Sequence, residues 1–394
     1  MRRRPRVCPS FPRPRASRRL PASPACPPER RMSPTIGPVS TQLDLPQPNA
    51  CPAGAPPSGS AQEQAQWWNG LSAQEQSNYL ASYGPQIGGM DGLPAEVRHE
   101  ANLAMLRHDA EHGEDRQASQ ALLDRIESSQ SGPASDRLLL LGFQPKAGGS
   151  DAQAIVAISN PDTADNVAIF VPGTGTDVGS LGGNIDRMAD LQAQAETVPG
   201  SGETSTIVWL GYDAPDDIFP DALGAGYAKD GAPALRDFTF GLREAHQGPD
   251  ARVTVIGHSY GSTVVGTADA MAGEGLAVDD IIAMGSPGMG YEADERRPGW
   301  GPFRIDSPLV DDISDMHIGA DHFWAGAASN DPVSYTEVHG NSPVDWSFGG
   351  QRITTDGASG HSEYWDPGTE ALRNQAYIVT GNYDQVDTVG RRFG

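Results

Sequence analysis

The chain has 394 residues, 37% of them hydrophobic, and a formal net charge of −23. Residues 1–32 carry ten arginines against one acidic residue, so the remainder of the chain carries about −32. A body this acidic repels nucleic acids and anionic membrane surfaces, so we expect neither as a partner. No apolar run reaches the length of about 20 residues that a membrane-spanning helix needs, so we expect no integral membrane segment.

The first 60 residues are rich in Arg, Pro, Ser and Ala, lack hydrophobic periodicity, and are predicted to be disordered. They contain all three cysteines, Cys8, Cys26 and Cys51, so we expect no disulfide framework, thiolate metal site or cysteine nucleophile in the rest of the chain. They also lack the apolar stretch of a secretion signal, which makes the cytoplasm the default location. Met32 is an alternative translation start, in which case the basic segment is not translated.

Residues 61–130 are predicted to form a small helical module. Apolar residues recur at helical spacing from Ala61 until Gly84-Pro85, and Ser72 stands three residues before Glu75, the spacing of a capping box. Two further helices are predicted, one from about Pro94 and one from Arg116 to Ser128. Ser131-Gly132-Pro133 then ends the module.

From Arg137 onward, short apolar runs bounded by turns alternate with helical patterns. This alternation predicts an α/β domain over residues 131–394, with a mostly parallel central sheet, helices on both faces and an antiparallel hairpin at its start. The predicted strands are Leu138–Phe143, Ala154–Ser159, Val167–Val171, Thr206–Leu210, Val253–Ile256, Ile281–Met284 and Phe323–Ala327. The predicted helices are Leu181–Glu196, Ala222–Ala245, Ser262–Met271 and Gly368–Val379.

Ser259 is the candidate nucleophile. It is the central residue of Gly257-His258-Ser259-Tyr260-Gly261, which lies between a predicted β-branched strand and a predicted helix. This is the sequence context of a nucleophile elbow, in which flanking glycines allow a tight turn and the helix N-terminus favours developing negative charge. The pattern alone is weak in so glycine-rich a chain, and the strand–turn–helix context is what supports it.

Acyl transfer also needs donors for the oxyanion of the tetrahedral intermediate. One candidate is the backbone N–H of Tyr260, directly after the nucleophile. The second is Gly173 or Thr174, in the Gly-rich loop that follows the strand predicted at Val167–Val171. A flexible loop and a phosphate-binding loop are the alternatives, although the Lys of a P-loop is absent.

His361 is the candidate general base, because it lies in a loop just before the last predicted helix, after the nucleophile in chain order. His339 is the alternative, and His317 and His322 are predicted to be structural. Asp331 is the candidate acid, since it begins a turn after the last predicted strand and could orient the histidine. The alternative for Asp331 is a turn or N-cap aspartate.

One polar, Pro- and Gly-broken segment, Tyr291–Asp321, separates the strand that ends at Met284 from the strand that carries the acid. It is the candidate lid or acyl-pocket insertion, and a plain surface loop is an equal alternative.

Four segments, taken in order, resemble the actinobacterial α/β-hydrolases catalogued as domain of unknown function 1023: Val255–Gly261, Met284–Gly288, Ser329–Val333 and Gly360–Tyr364. The resemblance covers roughly residues 61–381. It implies the α/β-hydrolase fold with Ser259, Asp331 and His361 as the catalytic triad, and it implies no substrate. Members of the family occur near helical modules linked to specialised secretion, so export by such a route is an alternative to the cytoplasm.

The sequence therefore predicts a serine hydrolase of esterase or lipase type that acts on small-molecule or lipid esters through an acyl-enzyme, with no cofactor and no metal. Amides and thioesters stay open as substrates, and the oligomeric state is not predicted. An acyltransferase with the same triad is one alternative. A non-catalytic binding or secreted protein with this fold is the other.

Overall fold

The computed structural model describes Pro52 and residues 54–217, 221–290 and 309–390. Most of the predicted N-terminal disordered segment, with Met32 and the three cysteines, lies outside these residues. So do residues 291–308 of the predicted lid segment, whereas residues 309–321 run as loop with single 3-10 turns at Ile313–Asp315 and Ala320–His322.

Four helices precede the sheet: α1 (Ala61–Asn69), α2 (Ala73–Gly88), α3 (Ala95–His112) and α4 (Arg116–Ser129). Ser72 and Glu75 form the predicted capping box, and Ser60 with Glu63 forms a second one at the start of α1. The predicted break at Gly84-Pro85 is a kink at Tyr83 instead, after which α2 continues to Gly88. Pro85 lies early enough after the kink that its missing N–H costs little.

Eight strands form one sheet in the order β1-β2-β4-β3-β5-β6-β7-β8. In chain order they are β1 (Leu138–Gln144), β2 (Gln153–Ile158), β3 (Asn166–Val171), β4 (Thr204–Leu210), β5 (Arg252–His258), β6 (Asp280–Met284), β7 (Phe323–Gly326) and β8 (Gln351–Arg352). The β1–β2 and β2–β4 pairs are antiparallel, and all other pairs are parallel. All seven predicted strands are confirmed. The two-residue β8 was not predicted because it is too short to carry a periodic signal.

Four helices cover the two faces of the sheet: α5 (Leu181–Glu196), α6 (Gly226–Ala245), α7 (Tyr260–Ala270) and α8 (Glu370–Val379). Helix α5 packs against α8, and α6 packs against α7. Every residue of β3 and β4 is buried, the polar residues Asn166, Thr204, Ser205 and Thr206 included, as expected for central strands covered on both faces. The carboxyl ends of β3 to β7 therefore meet at one edge, where the loops that follow them converge.

The helices before the sheet do not all pack alike. Leu106 of α3 and Leu122 and Ile126 of α4 belong to the same apolar core as the sheet. Helices α1 and α2 instead build a second cluster around Trp68, Tyr79 and neighbouring apolar residues. The division into a helical module over residues 61–130 and a catalytic domain over 131–394 stays a prediction, with part of that module sharing the core of the sheet.

Candidate active site

Ser259 occupies a strained turn between β5 and α7. Its backbone has φ 55° and ψ −131°, a region that residues other than glycine rarely adopt. The two glycines of the motif allow this turn, because a side chain at either position would clash with a neighbouring segment. A Cβ at residue 257 would lie 2.5 Å from Cα of Ser262, and a Cβ at residue 261 would lie 2.1 Å from the carbonyl oxygen of Val171. Only glycine allows β5, α7 and the end of β3 to approach this closely.

Hydrogen bonds to the backbone N–H and to the backbone carbonyl of Ser259 hold its strained conformation. The N–H of Ser259 donates to the carbonyl oxygen of Met284, 3.1 Å away, at the end of β6. The hydroxyl of Ser262 donates to the carbonyl oxygen of Ser259 at 2.6 Å. Ser259 itself is partly exposed at the N-terminus of α7, where the helix dipole favours negative charge. The predicted elbow geometry is therefore present around the serine.

Asp331 and His361 form a close pair at the same edge of the sheet. Nδ1 of His361 lies 2.8 Å from Oδ2 and 3.0 Å from Oδ1 of Asp331. Beneath them lies Gly285, directly after the residue whose carbonyl binds Ser259. A Cβ there would lie 2.7 Å from Oδ2 of Asp331 and 3.1 Å from Nδ1 of His361. Asp331, His361 and Ser259 thus lie at the same edge of the sheet, although they are up to 102 positions apart in the chain. Nε2 of His361 makes no hydrogen bond to Ser259.

The Asp331 carboxylate is buried and kept ionised by its donors. Burial alone would raise its pKa, but hydrogen bonds from His361 and Tyr364 hold the pKa below its ordinary value. The N–H of Val333 adds a third donor at 2.9 Å. An ionised carboxylate on Nδ1 of His361 fixes the ring tautomer that leaves the lone pair on Nε2.

Nε2 of His361 is buried and has no hydrogen-bond partner among the residues that the structure describes. Buried polar atoms are almost always paired, so such an atom marks a place where a further group belongs. The arrangement can accept a proton at Nε2, while Asp331 stabilises the resulting imidazolium from the other side of the ring.

The loop after β3 contacts the elbow directly. A Cβ at residue 173 would lie 2.7 Å from Cβ of Ser259 and 3.0 Å from the backbone nitrogen of Tyr260. The hydroxyl of Tyr212 donates to the carbonyl oxygen of Pro172 at 2.7 Å and fixes the start of the loop. Gly173 and Tyr260 are therefore neighbours beside Ser259, and Thr174 follows as a partly exposed residue. The assignment of Gly173 or Thr174 as an oxyanion donor stays a prediction.

The alternative histidines have other partners. Nε2 of His339 donates to the carbonyl oxygen of Ala222 at 2.7 Å, and its ring packs edge-on against Tyr260. Nδ1 of His317 donates to the carbonyl oxygen of Asp269. His322 pairs with Asp280 at the amino end of β6, the opposite edge of the sheet from Ser259.

Two residues of the site were not singled out from the sequence. Tyr364 donates to Oδ2 of Asp331 and accepts a hydrogen bond from the N–H of Ala328. His258 lies against His361, with ring centroids 4.7 Å apart. Tyr364 stands three residues after His361, but a sequence position gives no signal of a contact that depends on how two loops meet.

Within the described ranges, no group of three or more His, Cys, Asp and Glu side chains is arranged to hold a metal ion. Over the same residues, no helix is both long and apolar enough to cross a bilayer.

Residues 148–296 match a family model described as alpha/beta hydrolase. An uncharacterized protein of Mycobacterium tuberculosis is 29% identical over 398 residues, covering 85% of this chain and 58% of that relative. A second uncharacterized protein of the same organism is 34% identical over 142 residues, covering 34% of this chain and 52% of the relative. The chain thus spans little more than half the length of these curated relatives.

Among solved structures, the chain is similar to esterase LipW from Mycobacterium marinum, with a TM-score of 0.39 and 12% identity over 75% of this chain and 99% of that one. It is also similar to an esterase of Pyrobaculum calidifontis, with a TM-score of 0.38 and 14% identity over 72% of this chain and 98% of that one.

The sheet order, the elbow and the family match agree with one another. Assignment to the domain of unknown function stays a prediction. The chain has the α/β-hydrolase fold, and its residues 148–296 are similar to the alpha/beta hydrolase family.

Proposed function

We propose that the protein is a serine hydrolase that cleaves carboxylic esters, lipid esters included, through an acyl-enzyme. One observation carries the proposal. A histidine held at Nδ1 by a buried, ionised carboxylate keeps Nε2 unpartnered among the described residues, at the sheet edge where a strained serine stands. A structural Asp–His pair does not require a strained serine at the same edge of the sheet, whereas acyl transfer requires a nucleophile close to its base.

In the proposed reaction, Oγ of Ser259 attacks the ester carbonyl as Nε2 of His361 takes its proton. Asp331 stabilises the imidazolium, and the N–H of Tyr260 with that of Gly173 or Thr174 binds the oxyanion. His361 then returns the proton to the leaving alcohol, and an acyl-serine remains. A water molecule, activated by His361, attacks this ester and releases the carboxylic acid and free Ser259.

An apolar rim supports esters with apolar acyl groups as substrates. We define the apolar rim as Leu223, Tyr335 and Val338, three of the five large apolar side chains that are exposed among the described residues. They stand on loops that follow β4 and β7 at the carboxyl edge, and the hydrogen bond between His339 and Ala222 ties these loops together. Exposed apolar side chains on loops at the edge that carries Ser259 favour contact with apolar ligands.

The proposal is tested by labelling the full chain with a fluorophosphonate probe and by assaying p-nitrophenyl esters of increasing acyl length. We expect labelling and hydrolysis in the wild type, and loss of both in Ser259→Ala. Ser159→Ala is the matched control, because Ser159 is also a serine with positive φ and lies outside the site. Labelling that persists in Ser259→Ala would contradict the assignment.

A further inference from the structure

His258 is a buried histidine directly before the candidate nucleophile, at the end of β5. Its Nε2 lies 2.7 Å from the carbonyl oxygen of His361. Since a carbonyl can only accept, Nε2 must carry the proton and donate it. The residue that precedes Ser259 thus holds the backbone of the residue proposed to take the proton of Ser259.

Aromatic rings fix the orientation of the His258 side chain on several sides. Trp365 and Tyr364 meet it edge-on, with centroids 5.1 Å and 6.0 Å away, and Phe170 stacks at 6.3 Å. The His361 ring covers a further side, tilted by 32°. A ring enclosed in this way has little freedom to rotate, so the direction of its N–H is set by packing.

The same surroundings keep His258 uncharged. Burial, and then the positive charge of His361, lower its pKa to about 3, with Arg187 acting in the same direction. The carbonyl of His361 and the charge of Asp331 oppose the shift, and Tyr364 stays a neutral donor because burial raises its pKa. These are the titratable and charged groups that face the ring. A neutral His258 neither competes for the proton of Ser259 nor repels the imidazolium of His361.

We propose that His258 is a positioning residue, whose neutral Nε2–H anchors the main chain of His361 and so keeps the proposed base in line with Ser259. The proposal rests on the proposed function, because it assigns a purpose to the place of His361. His361 follows Gly360, a glycine with φ 65°, in the loop between β8 and α8, and its side chain is partly exposed. Asp331 holds one ring nitrogen of His361, and His258 holds its backbone, so the two contacts together define position and direction.

The test compares two variants of the full chain. His258→Phe keeps an aromatic ring and removes the donor, and His258→Gln replaces the ring with an amide N–H that reaches about as far. We expect kcat for a p-nitrophenyl ester to fall about 10- to 100-fold in His258→Phe with KM unchanged, since misplacement by about 1 Å costs on that order. We expect His258→Gln to recover most of the loss. His322→Phe and His322→Gln are the matched controls, and we expect both to keep wild-type kcat.

Two results would overturn the proposal. One is wild-type kcat in folded His258→Phe, and the other is an equal loss in both His258 variants, which would assign the effect to packing. If neither variant folds, the imidazole ¹⁵N spectra of the wild type test the proposal through the protonation state of His258. We expect the ring of His258 to stay neutral and protonated at Nε2 from pH 8 to pH 5, and titration near 6.5 would contradict the proposal. These spectra do not depend on ester hydrolysis, so failure of the proposed function, seen as absent probe labelling in the wild type, is separately recognised.

Discussion

Two buried carboxylates lie at opposite edges of the sheet, and each is held by a histidine and a tyrosine. Asp331, at the carboxyl edge, accepts from His361 and Tyr364. Asp280, at the amino edge, accepts from His322 and Tyr383. Both carboxylates are fully buried. The residue types are nearly the same, so composition alone does not distinguish a reactive site from a structural one.

The difference lies in what completes each cluster. Arg252 contributes a guanidinium 3.4 Å from Asp280, and the indole N–H of Trp324 adds a donor at 3.1 Å. At the carboxyl edge, no arginine or lysine pairs with Asp331 among the described residues, and Nε2 of His361 is left without a partner there. A carboxylate already neutralised by arginine anchors the fold, whereas one paired with histidine alone can stabilise a proton that arrives during a reaction.

The largest expected effect separates the two carboxylates. Asp331→Asn should lower kcat/KM for an ester by about 10³- to 10⁴-fold, because Asn cannot stabilise the imidazolium and favours the wrong tautomer of His361. Asp280→Asn should leave kcat/KM within about twofold and lower the free energy of unfolding by about 2 kcal/mol, because Arg252 loses its ionic partner. Ester assays and urea unfolding measure the two effects. Equal losses of activity would contradict the comparison.

Asp162 is a third buried carboxyl group, and it shows how burial changes the pKa of a carboxyl group that has fewer hydrogen-bond donors. It accepts from the N–H of Ala95 at 2.7 Å, and burial raises its pKa to about 6, against the opposing effects of that N–H and of Arg98. The folded protein therefore binds this proton more tightly than the unfolded chain, whose Asp has a pKa of about 3.9. Stability should fall as the pH rises from about 4 to 6, by about 3 kcal/mol in total, and stay level above that.

Asp162→Asn keeps the acceptor for Ala95 and cannot ionise. We expect its free energy of unfolding to equal that of the wild type near pH 4 and to exceed it by up to about 3 kcal/mol at pH 7. Urea unfolding at pH 4.5, 5.5 and 7 measures this. Asp165→Asn, an exposed carboxylate in the same loop, controls for the loss of one charge. A difference that does not change with pH would contradict the role of burial.

The two tyrosines provide a smaller contrast. Tyr364→Phe removes a donor that lowers the pKa of Asp331, and we expect kcat/KM to fall about tenfold. Tyr383→Phe should leave kcat/KM within about twofold and lower the free energy of unfolding by about 1 kcal/mol. A Tyr364→Phe variant with wild-type kcat/KM would show that His361 alone keeps Asp331 ionised.

The smallest expected effect concerns the apolar rim. The double variant Leu223→Ser with Val338→Ser should raise KM about threefold for a long-chain p-nitrophenyl ester and leave KM for the acetate unchanged, since the loss of contact with about one methylene weakens binding by about 0.8 kcal/mol. Val389→Ser is the matched control. Val389 is an exposed valine outside the apolar rim, and its N–H donates to the carbonyl oxygen of Arg352 in β8. An equal rise for both esters would argue against acyl contact.

Much of the fold was predictable because its signals are local. Seven of the eight strands are four to seven residues long and contain an apolar run, and the turn at Ser259 needs glycines at two fixed positions. The predicted first residues of several helices differ from the observed ones by two to four positions. The helix predicted from Ala222 begins at Gly226, because Asp221–Leu223 forms a separate 3-10 turn.

The candidate site was predictable in part. Chain order and loop position were enough to propose Ser259, Asp331 and His361, and the fold brings them to one edge. Tyr364 and His258 were missed because their contacts join segments that are distant in sequence, and hydrophobic periodicity gives no signal of such contacts. For the same reason, the sequence did not indicate that Asp280 would gather its own histidine and tyrosine.

The sequence by itself determined the alternation of strands and helices, the acidic surface and the position of the elbow, since each follows from composition or from neighbours within a few residues. Only the tertiary structure decided which of two Asp–His–Tyr clusters leaves a histidine nitrogen unpartnered among the described residues, and which has an arginine. That distinction depends on which strand end each loop leaves from. The parallel sheet sends the loop of Asp331 to the edge where Ser259 turns, and places Asp280 at the other.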